Sequence, residues 1–84
     1  MEYNVLVKIY YPIQEKVFEM YIPTTKTVAY ISKLIQKALV EVSKLDIQYN
    51  DHAIICNKIT GFIYDYNKLI IDTDIRNGTK LIIY

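Results

Sequence analysis

The chain has 84 residues, with ten basic side chains against nine acidic ones and 52% apolar residues. At this length the scaling of folded surface predicts one domain, residues 1–84, burying roughly 64% of the surface exposed by its unfolded chain. The composition excludes disordered, collagen-like and linker classes. A net charge of +1, spread along the chain, lacks the basic stripe expected of a nucleic-acid binder.

The longest apolar runs are short, as in Ala53-Ile54-Ile55-Cys56 and Leu81-Ile82-Ile83-Tyr84. A membrane helix needs about 20 residues and a secretory leader an apolar core of roughly 7–15. No direct membrane insertion is therefore expected, and the whole chain is expected to be the mature protein. Cys56 is the one cysteine. It allows no intrachain disulfide, which suits a reducing, cytoplasmic location. The abundance of Ile, Asn, Lys and Tyr suggests an AT-rich, bacterial genome.

In chain order, residues 3–10 alternate Tyr3, Val5, Val7, Ile9 against Asn4, Leu6, Lys8, Tyr10, the period of a strand. Pro12 and the polar Gln14-Glu15-Lys16 interrupt it. A second strand, Val17 to Ile22, places Phe18, Met20 and Ile22 on one face and Val17, Glu19 and Tyr21 on the other. So short a connection predicts an antiparallel hairpin, and Pro23 ends its second strand. Thr27 is the best candidate to cap a helix over residues 28–44. That helix is expected to bury Val28, Ile31, Ile35, Ala38, Leu39 and Val42 and to show Ser32, Lys33, Gln36, Lys37, Glu41 and Lys44 to solvent.

After a polar connection, residues 52–56 read as a short strand and Asn57–Gly61 as a turn. Phe62–Tyr64 reads as a brief edge strand, and Leu69-Ile70-Ile71 as apolar groups turned inward. Ile75 is an apolar peg in a polar turn. Gly78 suits a positive φ, and Thr79–Tyr84 is the last strand.

A hairpin followed by a right-handed helical crossover leaves the first strand free to pair with the last. The expected fold class is α+β: a mixed four- to five-stranded sheet gripped on one face by a single helix, the β-grasp. The chain resembles the ubiquitin-like superfamily over nearly its full length. Pro23 and the Thr-capped start with Val28, Ile31 and Ile35 resemble that family's strand exit and helix. Ile70, Asp72, Ile75, Gly78 and Leu81 match its L-x-D-x-x-I-x-x-G-x-x-L pattern, with Ile at the usual Leu. Within the superfamily, the length and the Asn57-Lys58 turn resemble the bacterial YukD/EsaB-type proteins of type VII secretion. Ubiquitin-like modifiers and sulfur carriers act through a Gly-Gly tail. This sequence ends in Lys80-Leu81-Ile82-Ile83-Tyr84, so conjugation is not expected.

No catalytic constellation emerges, and the chain is read as a non-enzyme without cofactor or metal. His52 adjoins Asp51, but neighbours on a strand point to opposite faces. Cys56 reads as a small buried hydrophobe. Asp72 and Asp74 offer too few oxygens for a hard cation and read as turn formers. The opposite sheet face, assigned Leu6, Lys8, Tyr10, Val17, Glu19, Tyr21, Ile55, Lys80, Ile82 and Tyr84, has nothing left in the chain to cover it. Tyr and β-branched residues suit strands in any case, yet an apolar face rimmed by charge also fits a protein-binding surface. Leu6, Tyr21, Ile55, Ile82 and Tyr84 are its candidate anchors. The expected function is a protein-interaction module acting through that face. It would be an accessory or regulatory part of type VII secretion, or alternatively a small homodimeric structural or regulatory protein.

Overall fold

Strand β1 (Asn4–Tyr11) buries Val5, Val7 and Ile9 and leaves the residues between them half-exposed, as its alternation requires. A computed structural model describes residues 3–43, 50 and 53–84. A 3₁₀ turn at Pro12–Gln14 follows β1 and closes with Glu15 in the left-handed region at φ 52°, its N–H donating to the Pro12 carbonyl. Strand β2 (Lys16–Pro23) returns antiparallel in full register, from Tyr11 opposite Lys16 to Asn4 opposite Pro23.

Helix α1 (Val28–Ser43) begins where expected. The first amides of a helix have no partner within it, and here each is satisfied. Val28 N–H donates to the Lys68 carbonyl and Ala29 N–H to the Tyr66 carbonyl. Tyr30 N–H donates to Thr27 Oγ1 at 3.2 Å, confirming the cap. Val28, Ile31, Ile35 and Leu39 lie fully buried on the sheet.

Two expectations for this helix fail. Val42 is 52% exposed, whereas Ser32 and Gln36 are buried. Gln36 is buried because its Nε2 donates to the Asn50 carbonyl and to Ser32 Oγ, while its Oε1 accepts the Asn50 N–H at 2.6 Å. A side-chain amide can occupy a buried flank at little cost when its donors and acceptor are met in this way.

Strand β3 (Ile55–Asn57) is shorter and later than the expected 52–56, and His52 and Asp51 lie outside the described residues. Ile63 makes only an isolated bridge to Cys56, so no fifth strand forms among the described residues. Of Leu69-Ile70-Ile71, only Ile70 turns inward, within a 3₁₀ turn at Ile70–Asp72. Ile75 is the buried peg, and Gly78 adopts φ 88°. Strand β4 (Lys80–Ile83) then runs parallel to β1 and antiparallel to β3. The order β2-β1-β4-β3, with one helix on one face, is the β-grasp arrangement.

A candidate protein-interaction face

Cross-strand register arranges the outer sheet face in rows. Leu6 lies opposite Tyr21 at one end of the β1–β2 pair. Glu19, Lys8 and Lys80 form the next row, which Lys58 extends: its N–H donates to the Lys80 carbonyl just past β3. Val17, Tyr10, Ile82 and Cys56 form the third row. Adjacent rows are two residues apart, roughly 7 Å, and adjacent strands roughly 4.8 Å.

Of the expected anchors, Tyr21 is 66% exposed, and Leu6 and Ile82 are half-buried on this face. Tyr84 is exposed but lies past the end of β4, where it borders a cleft with Tyr11, Ile13 and Leu39. Ile55 is not on the face. It pairs with Ile83 and is 1% exposed in the core, and Cys56 takes the outward position beside Ile82. A one-residue slip in register turns every side chain of a strand over. In the all-apolar run Ala53–Cys56 nothing in the sequence opposes such a slip.

Lys8 and Lys80 lie on the face as expected, and Lys58 joins them. Lys8 Nζ lies 5.7 Å and Lys58 Nζ 4.9 Å from the Tyr10 ring centroid, so two ammonium groups share one aromatic ring. Such contacts are attractive and hold the cations over the sheet. By sequence Lys58 is simply part of the Asn57–Gly61 turn. The signal lay in its position just after a strand, but it became visible only with the β3–β4 register.

Burial pushes the Cys56 thiol above its ordinary range, which opposes formation of the nucleophilic thiolate. The acidic turn works differently from expectation. Asp74 Oδ1 accepts a 2.6 Å hydrogen bond from the buried Tyr64 hydroxyl, which in turn accepts from Asn57 Nδ2. Burial first, and then the Asp74 carboxylate, push the Tyr64 phenol up to about 12. Thr73 Oγ1, rather than Asp72, makes the turn contacts: it donates to the Ile70 carbonyl and accepts from Ile75 N–H. Among the described residues no group of three His, Cys, Asp or Glu side chains is placed to hold a metal. Nor is any helix among them long and apolar enough to cross a membrane.

No family model matches this sequence, and no curated protein is similar to it in sequence. Solved structures share its fold. A chain of an ESX-5 inner membrane complex superposes with a TM-score of 0.71 at 12% identity, covering 99% of this chain and 21% of that one. This chain therefore spans about a fifth of the length of that neighbour. A ubiquitin of Caldiarchaeum subterraneum superposes with a TM-score of 0.66 at 15% identity, covering 95% of this chain and 90% of that one. A chain of a toluene 4-monooxygenase complex reaches a TM-score of 0.77 at 5% identity, over 95% of both. Identities this low speak to architecture only, and with the strand order and single helix they establish that this chain has the ubiquitin-like β-grasp fold.

Proposed function

We propose that the chain is a non-enzymatic, cytoplasmic protein-interaction module that buries the outer face of its sheet against a protein partner. The observation that carries this reading is the face itself: Leu6, Tyr21, Tyr10, Val17 and Ile82 lie together on it, Tyr21 and Val17 exposed and the other three half-buried. Tyr is a favoured interface anchor because its rigid ring combines apolar area with a polar tip. Likeness to a chain of an ESX-5 inner membrane complex favours a role beside a secretion apparatus, as the YukD/EsaB resemblance implies. A homodimer through the same face is the second reading, supported by the same exposed residues.

The test is affinity capture from host lysate with wild type, Ile82→Asp and Ile59→Asp, Ile59 being an exposed apolar residue of the Asn57–Gly61 turn. Capture of secretion components by wild type and Ile59→Asp, lost with Ile82→Asp, supports both the face and the secretion role. Equal capture by all three sinks the face. A mass that rises with concentration and falls in Ile82→Asp favours the homodimer.

A further inference from the structure

Lys8, Lys58 and Lys80 stand in one row across three strands, between the Leu6/Tyr21 pair and the Ile82 row. Glu19 is the one carboxylate in that row, leaving an excess of two positive charges. Among the described residues none of the three ammonium groups forms an ion pair. Lys8 and Lys58 instead rest on the Tyr10 ring, so their positions are partly fixed before any partner arrives. Register sets this row: the parallel pairing of β1 with β4 places Lys8 beside Lys80.

Resting on the reading of this face as a docking surface, we infer that its partner is a protein carrying an acidic segment, whose carboxylates meet the lysine row while flanking apolar side chains cover the rows on either side. Charge complementarity selects this occupant. Like charges opposed across an interface are costly and opposite ones steer association. A second copy of the chain docked through the same face brings the same positive excess with it. A single-stranded nucleic acid would use the lysines and Tyr10 but leave Leu6, Val17 and Ile82 without cover, and the whole chain carries a net charge of only +1.

The test titrates the isotope-labelled full chain with an extended peptide alternating Glu with Ile and Val, with the same peptide carrying Lys for Glu, and with oligo-dT, followed by amide shifts. The acidic peptide should move the amides of Leu6, Lys8, Tyr10, Lys58 and Ile82, and the Lys peptide should leave them in place. The combined Lys8→Gln, Lys58→Gln, Lys80→Gln variant should bind the acidic peptide about tenfold more weakly, and single Lys58→Gln and Lys80→Gln variants about twofold each. The single changes lie at exposed positions, so they remain readable if the combined variant loses its fold. Raising salt from about 0.05 M to about 0.5 M should weaken binding further, because the Debye length shrinks severalfold. Equal binding of both peptides, no movement of this face at about 1 mM acidic peptide, or tighter binding of oligo-dT would overturn the inference. Partner capture lost in Ile82→Asp but intact in the lysine variants also overturns it, while leaving the face itself standing. Capture unaffected by either removes both readings.

Discussion

Replacing Ile55 and Ile82 with alanine, one at a time, tests the register that defines the face. The two residues sit on neighbouring strands, and sequence pattern alone places both side chains outward. In the structure Ile55 is 1% exposed and packs in the core with Ile83, while Ile82 is half-buried on the outer face. Truncating a fully buried Ile removes its transfer free energy and leaves a cavity, together about 3–4 kcal/mol. An 84-residue domain is stabilised by roughly 4–13 kcal/mol in total. Ile55→Ala should therefore lower Tm by about 12–32 °C, at roughly 4–8 °C per kcal/mol for a domain of this size. Ile82→Ala trims a half-buried side chain on the outer face without opening a core cavity, loses some strand preference, and should cost about 1 kcal/mol. Urea unfolding followed by far-ultraviolet circular dichroism measures both. If Ile82→Ala costs as much as Ile55→Ala, or Ile55→Ala costs less than about 1 kcal/mol, the β3–β4 register is wrong. Lys58 then leaves the lysine row, while Lys8 and Lys80 stay paired through β1 and β4.

Three further outcomes follow from local contacts. Gln36→Ala removes two bonds to the Asn50 backbone and one to Ser32; it should cost about 2 kcal/mol and speed exchange of the Asn50 amide, read by hydrogen exchange. Gly78→Ala places a Cβ in open space but at φ 88°, so it should cost about 1–2 kcal/mol from backbone strain alone, measured by thermal unfolding. The Tyr64 phenol, held protonated up to about 12, binds its proton more tightly folded than unfolded. Its stabilising share is thus full below about pH 10 and is lost as pH rises from there toward 12, a change of about 2–3 kcal/mol. Comparing urea midpoints near pH 9 and pH 11, wild type should fall further than Tyr64→Phe; parallel slopes would refute that assignment.

Much of the architecture was readable without coordinates, because local signals there act alone. Val5, Val7 and Ile9 alternate over a full strand, and Thr27 precedes an uninterrupted run free of Gly and Pro. Asn77-Gly78 announces a turn that needs positive φ, and Gly78 adopts it. These are properties of chain geometry within a few residues. The helix flank depends on a distant partner: Gln36 looks like a solvent residue until Asn50 comes within reach of its amide.

The candidate face divides along the same line. Alternation along β1 and β2 identified Leu6 and Tyr21, since a long strand carries its own period. A three-residue strand inside Ala53–Cys56 carries none, and only pairing with β4 turns Cys56 outward and Ile55 inward. The lysine row is likewise tertiary, since residues 8, 58 and 80 come together only when β1 takes β4 as a parallel neighbour and β3 closes on its far edge. Periodicity and capping, which are local, mark out β1, β2, α1 and β4 in the sequence, whereas the bounds of β3 and the lone bridge at Ile63 depend on pairing. Which side chains share the outer sheet face was set by strand pairing, because register is a relation between strands that no single strand contains.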